Sequence, residues 1–136
     1  DYPEAARALP RIGDAFRVDY ERVLMLAPDL VVAWETGTPE ARIERLRALG
    51  IPVVTVGAAT LDDIPAAIEA LGRLAGTTAT ARAAAGELRR GIAALAAEYR
   101  GREPVSVFVQ LDEQPLFTVT GRHLISGMLD LCGGRN

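Results

Sequence analysis

Two short apolar runs separated by a helical pattern constrain the fold more than any other feature. Residues 29–34 read DLVVAW and residues 52–57 read PVVTVG. Neither run alternates strictly between apolar and polar residues, which is typical of parallel strands buried on both faces. Between them, Thr38 as N-cap, Pro39 at the first helical position and Gly50 after the last turn delimit a helix. Parallel strands need such a crossover, so the sequence predicts a βαβ unit.

The rest of the chain continues this alternation of helices and strands. Asp19 is placed to cap a helix that runs to Ala27, and the residues from Thr60 to Asp63 resemble a capping box opening a helix to about residue 75. Further patterns predict a short helix at 3–9, a long helix at 78–100, strands at 103–110 and 115–120, and a last helix at 124–131. The predicted fold class is α/β with a parallel sheet. The long helix is either a crossover within one sheet or a spine joining two lobes.

Charge and termini limit the classes of partner. The net charge is −3, and all 15 basic residues are arginines scattered along the chain, which argues against a nucleic acid partner. No apolar run is long enough for a transmembrane helix. The chain begins without Met and ends in CGGRN, so we expect an internal piece of a longer mature protein. A missing signal peptide then says nothing about the compartment.

The chain offers little material for catalysis. Its one histidine, His123, and its one cysteine, Cys132, fall at opposite ends of the last predicted helix, about 12 Å apart and beyond hydrogen-bond reach. No dinucleotide-binding, phosphate-binding or zinc-protease motif occurs. We expect His123 to be a surface or first-turn residue, and the acid pairs at 62–63 and 112–113 to be cap and loop residues. The sequence therefore predicts no enzyme, no metal site and no cofactor.

Two aromatic residues lie where a ligand would be expected. Trp34 ends the first predicted strand, and Phe117 lies in the segment after the strand at 103–110, the equivalent position of the second half. Ligands of open α/β sheets bind outside the carboxyl ends of the strands, and aromatic rings suit a flat, bulky ligand. Both residues could equally be members of the core.

Two further residues each allow two interpretations. Glu21 follows Asp19 in the first turn of a predicted helix, where the helix dipole favours a carboxylate by about 0.3–1 kcal/mol. It could instead be a docking charge for arginines of a partner. Cys132 is either a small buried core residue or half of a disulfide whose partner lies beyond residue 136.

Several stretches together resemble one family. These are DYP at the start, YERVLMLAPDLVVAW at 20–34, ERLRALGIPVV at 44–54, VFVQ at 107–110, PLFTVTG at 115–121 and LDLCGGRN at 129–136. They resemble, in order, the cobalamin-binding periplasmic protein of bacterial ABC importers. The PDLVV strand and the GG-x-N ending are shared with the wider class that carries iron-siderophores and haem. The tryptophan after the strand, the PxFT segment and the cysteine before GG favour the cobalamin branch.

The resemblance implies two α/β lobes joined by one long helix, with the ligand in the cleft between the lobes. In this truncated two-lobe arrangement, residues 1–76 form the N-terminal lobe without its first strand. Residues 77–101 form the spine helix, and residues 102–136 begin the C-terminal lobe.

The resemblance also implies roles for single residues. Trp34 and Phe117 match two aromatic positions of the cleft, and Glu21 matches the acidic residue by which the first lobe docks on the membrane permease. Cys132 matches a disulfide cysteine whose partner lies in the second lobe, outside this chain. Ala15 stands where the cobalamin branch has another cleft tryptophan, so its neighbour Phe16 is the candidate substitute.

The expected function is periplasmic capture of cobalamin or a related corrinoid, a transported ligand and not a cofactor, for delivery to an ABC permease. An alternative keeps the class and changes the ligand to an iron-siderophore or haem. A third reading, from another class, is a small α/β enzyme or regulatory domain using Asp112 and Glu113, with a closed sheet. We also expect a truncated fragment to self-associate through uncovered apolar surface.

Overall fold

The structure, a computed structural model, describes residues 3–14 and 16–136. A 3-10 helix at Glu4–Ala8 precedes five α-helices and six strands. In chain order these are α1 Tyr20–Leu26, β1 Val31–Trp34, α2 Glu40–Ala48, β2 Val53–Val56, α3 Asp63–Leu74, α4 Thr78–Tyr99, β3 Val105–Ser106, β4 Asp112–Glu113, β5 Leu116–Phe117, α5 Leu124–Leu131 and β6 Gly134–Arg135. The predicted α/β class is confirmed.

The predicted βαβ unit is present in the first part of the chain. Strands β1 and β2 pair in parallel, with Val31 opposite Val53 and Trp34 opposite Val56. Helix α2 is the crossover between them, and it buries Leu46, which packs with Val23 of α1 and Ile51 in one apolar cluster. Burial of these side chains fixes both helices on the sheet, since each contributes about 1.5–3 kcal/mol when removed from water.

Helix α1 has the predicted cap, whereas the cap predicted for α2 is wrong. The Oδ1 atom of Asp19 accepts a hydrogen bond from the backbone N–H of Arg22 at 3.0 Å. Helix α2 begins only at Glu40, because Pro39 has an extended ψ of 134° and occupies the cap position without a side-chain bond. Thr38 instead donates its N–H to the carbonyl of Trp34 at 2.9 Å, in the turn that leaves β1.

Helices α3 and α4 pack closely through small residues. A Cβ added to Gly72 would overlap the Cβ of Ala81, and Ala81 and Ala85 are both buried. Arg89 of α4 also donates to Glu69 of α3 at 2.6 Å. Helix α4, about 33 Å long at 1.5 Å per residue, ends one residue before the predicted limit. Small side chains thus let the backbones of the two helices approach.

The remaining strands are shorter than the sequence predicts. Strand β3 pairs in parallel with β6 over two residues, and β4 and β5 form an antiparallel hairpin. Of the predicted strand at 103–110, only the first part is paired this way, and Phe108 is 64% exposed. The length of a strand depends on how far a neighbouring strand is available to pair with it. A local sequence pattern does not show this.

Contacts divide the chain into two compact units, residues 1–56 and 57–136. The division places α3 in the same unit as α4. The lobe limits at residues 76 and 101 stay predictions. Across both described ranges, no helix combines the length and the apolar character needed to cross a membrane.

Candidate functional site

Trp34 is presented at the carboxyl end of β1 and is half exposed, with 50% of its surface accessible. Its indole lies over the backbone of Gly37, because a Cβ built on Gly37 would come within 2.8 Å of Cδ1 of Trp34. Gly37 does not have a positive φ, so the close approach of the ring explains the glycine. In this structure the indole therefore lies at the surface, with Gly37 against one side of it, and Trp34 is not a core residue.

Phe16 lies at the tip of a small hairpin in the same unit. Gly13 and Val18 pair across it, and the Oδ1 atom of Asp14 accepts the N–H of Phe16 at 2.7 Å. Nη2 of Arg42 donates to the carbonyl of Phe16 at 2.6 Å. These bonds hold the backbone while the Phe16 side chain is 82% exposed.

The Arg42 bond also locates the hairpin tip relative to the sheet. Arg42 belongs to the first turn of α2, and α2 begins after the short loop that follows Trp34. That loop leaves the carboxyl end of β1, so the bond ties the hairpin tip to the start of the helix that follows Trp34. Ala15, the position of the family's other tryptophan, lies outside the described residues.

Phe117 is presented separately, in the second unit. It lies in β5 opposite Asp112, its carbonyl accepts the N–H of Leu111 at 2.8 Å, and its side chain is 57% exposed. Like Trp34, it has a fixed backbone and an accessible ring, the combination that favours contact with a flat ligand.

A polar cluster around the buried hydroxyl of Ser126, which the sequence pattern did not reveal, holds the chain just after Phe117. We call Ser126, Asn136 and the carbonyls of Val119 and Thr120 the Ser126–Asn136 cluster. The hydroxyl of Ser126 donates to the Thr120 carbonyl at 2.9 Å, and Nδ2 of Asn136 donates to the Ser126 hydroxyl at 2.7 Å and to the Val119 carbonyl at 2.9 Å. Ser126 is only 1% exposed. The available signal is a serine within the mostly apolar helix LISGMLDL.

A groove of about 450 Å³ lies between the start of α3 and the start of α5, lined by residues 59–61, 121–124 and Gly127. Behind the lining residues Ala59 and Thr60, Oδ2 of Asp63 accepts the N–H groups of Thr60 and Ala59 at 2.7 and 3.0 Å. These bonds, led by the Thr60 backbone, lower the pKa of Asp63 below its ordinary 3.8. The capping box predicted at 60–63 is present only in part: Asp63 bonds back to the N–H of Thr60, but the helix begins at Asp63 and its cap residue Asp62 makes no side-chain cap bond.

The histidine and the second acid pair also have local roles. His123 is exposed at the N-cap of α5, where its Nδ1 accepts the N–H of Ile125 at 3.2 Å, so the prediction of a surface residue at the helix start is confirmed. The carboxylate of Asp112 accepts the N–H of Glu113 in its own hairpin at 2.7 Å. Within the described ranges, no three His, Cys, Asp or Glu side chains cluster as metal ligands would. The described sheets are two-stranded, unlike the closed sheet that the enzyme reading requires.

Glu21 and Cys132 are both accessible. Glu21 is exposed in the first turn of α1, which is compatible with a dipole role and with a docking role. Cys132 follows α5 and is exposed with a free thiol, so the interpretation as a buried core residue is wrong. Its exposure leaves the sulfur accessible to a partner.

A family model described as periplasmic binding protein matches residues 1–136, the whole chain. The chain belongs to the periplasmic binding protein family. The predicted resemblance is thereby confirmed. It extends to the vitamin B12-binding protein of Vibrio parahaemolyticus, which is 36% identical over 136 residues, covering 100% of this chain and 50% of the relative.

Solved structures agree with the family. The periplasmic vitamin B12 binding protein BtuF of Vibrio cholerae matches with a TM-score of 0.88 and 34% identity, over 100% of this chain and 53% of that one. The periplasmic heme-binding protein BhuT matches with a TM-score of 0.84 at 24% identity, over 99% of this chain and 53% of that one, which shows a shared fold alone. This periplasmic binding protein chain spans about half the length of the relatives it matches.

Proposed function

We propose that the protein containing this chain captures cobalamin or a related corrinoid in the periplasm and delivers it to the permease of an ABC importer. The observation that carries the proposal is the match of all 136 residues to proteins named for vitamin B12 binding, at 36% identity in one of them. The ligand is carried unchanged, as cargo and not as a cofactor.

The accessible aromatic residues are the proposed ligand contacts. A corrin ring is broad and largely apolar on its faces, and aromatic side chains offer about 150–250 Å² of contact each. Trp34 leans on Gly37, and the backbone of Phe117 is fixed in the β4–β5 hairpin. Restricting these residues before binding lowers the entropy that binding removes. Phe16 contributes a third ring beside the position of Ala15.

The proposed delivery of the ligand to the permease and the proposed periplasmic location each involve one exposed residue. The Glu21 carboxylate is proposed to pair with arginines of the permease, because it is accessible in the first turn of α1. Cys132 is proposed to form a disulfide with a cysteine outside this chain, which is compatible with its exposed thiol and with the oxidising periplasm. We also propose, separately, that the isolated chain self-associates. Analytical sedimentation tests this.

Calorimetric titration of the full-length protein with cyanocobalamin tests the ligand. We expect saturable binding, and a loss of affinity of about tenfold or more for Trp34→Ala and for Phe117→Ala, since each removes an aromatic contact. Phe108→Ala is the matched control, because Phe108 is 64% exposed in the same unit as Phe117 and has no proposed contact. If the protein binds haem more tightly than cyanocobalamin, the proposed corrinoid ligand is wrong and the alternative ligand takes its place.

A further inference from the structure

We propose that Asn136 and Ser126 are positioning residues that set the presentation of Phe117 to the ligand. This inference rests on the proposed corrinoid function and deepens it. Neither residue is proposed to touch the ligand. They act through the backbone at Val119 and Thr120, immediately after Phe117.

The direction of the hydrogen bonds in the Ser126–Asn136 cluster is fixed by chemistry. A backbone carbonyl only accepts, so the Asn136 atom 2.9 Å from the Val119 carbonyl must be the amide nitrogen. The second hydrogen of that nitrogen goes to the Ser126 hydroxyl, which passes its own hydrogen to the Thr120 carbonyl. Both amide hydrogens of Asn136 are used, one on the Val119 carbonyl and one on the Ser126 hydroxyl.

The cluster holds the chain on the carboxyl-terminal side of Phe117, where the β4–β5 hairpin does not hold it. On its amino-terminal side, Phe117 is held by pairing with Asp112 and by the bond from Leu111. On its carboxyl-terminal side, the first anchors along the chain are the carbonyls of Val119 and Thr120. Phe117 is therefore fixed from both directions, although its ring is more than half exposed.

Burial protects the centre of this anchor, whereas Asn136 and Thr120 lie at the surface. Ser126 is 1% exposed, so solvent does not compete for its hydroxyl, and a lost partner would leave a buried polar group unsatisfied. The Thr120 carbonyl also accepts the N–H of His123 at 3.0 Å, which ties the same point to the start of α5. Because the segment is already held in place, little conformational entropy is lost there when the aromatic ring binds the ligand.

Asn136→Asp is the decisive substitution, because aspartate has the same shape but no hydrogens to donate. Its carboxylate would face the Val119 carbonyl and repel it. We compare four full-length proteins by calorimetric titration with cyanocobalamin: wild type, Asn136→Asp, Phe117→Leu and the double variant. Asn136→Asp is expected to weaken binding about tenfold in the wild-type background and less than about threefold when Phe117 is already replaced, since coupled residues are not additive.

A structural role alone predicts a different result. If Asn136 merely stabilised the fold, the loss would be the same with and without Phe117, and that additivity would overturn the positioning role. Ala85→Gly in α4 is the control for general destabilisation, because it opens a buried site on another helix and should leave the affinity unchanged.

Two checks keep the outcomes separate. Should Asn136→Asp fail to fold, as judged by its thermal unfolding, Ser126→Ala removes the bridging hydroxyl and takes its place in the cycle. A wild-type protein that does not bind cyanocobalamin would overturn the proposed function and, with it, this inference. Binding by wild type with unchanged affinity in Asn136→Asp would overturn the positioning role alone.

Discussion

Replacing Gly37 by alanine tests directly whether the orientation of Trp34 matters for binding. The new Cβ would lie 2.8 Å from Cδ1 of Trp34, whereas ordinary contacts begin at 3.4 Å, so the ring must move by about 0.6 Å at that atom. The movement corresponds to a rotation of roughly 15° about the side-chain torsions, which carries the far edge of the indole by about 1 Å or more.

The free protein and the complex should respond differently to this change. Trp34 is 50% exposed, so in the free protein its ring can swing toward solvent, and the melting temperature should change little. Binding requires the ring to return against the new methyl group, and overpacking of this kind costs about 1–2 kcal/mol. Such a cost corresponds to a dissociation constant for cyanocobalamin that is about 5–30 times larger.

Calorimetric titration and thermal unfolding of the same samples measure the two effects. Gly91→Ala in α4 is the matched control, because nothing lies within 4 Å of its added Cβ. The control should stabilise the helix by about 1 kcal/mol and leave the affinity unchanged. Wild-type affinity in Gly37→Ala, with a displaced ring seen by crystallography, would refute the contact between Trp34 and the ligand.

Three further predictions concern docking and stability. Glu21→Arg should leave the affinity for cyanocobalamin unchanged and reduce stimulation of the permease-coupled ATPase in reconstituted vesicles; reduced affinity would instead place Glu21 at the ligand. Asp63 has a lowered pKa in the folded state, so its contribution to stability is complete above pH 3.8 and is lost as the pH falls through the folded value. Urea unfolding should therefore find Asp63→Asn less stable than wild type at neutral pH, with the difference vanishing in acid, and a difference independent of pH would contradict the role. Gly72→Ala should destabilise the protein by about 1–3 kcal/mol through its overlap with Ala81, and adding Ala81→Gly should recover part of the loss; equal stability of single and double variants would argue against the overlap.

The elements with strong local signals were predictable. Helices α4 and α5 fall within a residue of the predicted limits, and the β1–α2–β2 unit followed from two apolar runs and one crossover. The cap of α2 was mispredicted because Thr38 and Pro39 form a familiar pair at helix starts, and sequence does not reveal that the Thr38 N–H already bonds the Trp34 carbonyl.

The candidate site was predictable only in part, because its residues act through distant partners. The strand-end position of Trp34 followed from the sequence, but the support of its ring by Gly37 depends on how the loop folds back. Likewise, the Ser126–Asn136 cluster joins residues that are ten positions apart, through carbonyls that carry no sequence signal. Backbone carbonyls are the same for every residue type, so only the folded structure shows which of them accept these hydrogen bonds.

The close packing of α3 against α4 has a consequence for the order of folding. These helices are joined by residues 75–77 alone, so their contacts form between neighbours in the chain and close with little loss of chain entropy. Pairing of β2 with β1 must instead close the loop that contains α2, and pairing of β6 with β3 must close the loop of residues 107–133. Because local contacts form faster than distant ones, we expect the helical hairpin in the middle of the chain to form first and the parallel strand pairs before and after it in sequence to form later.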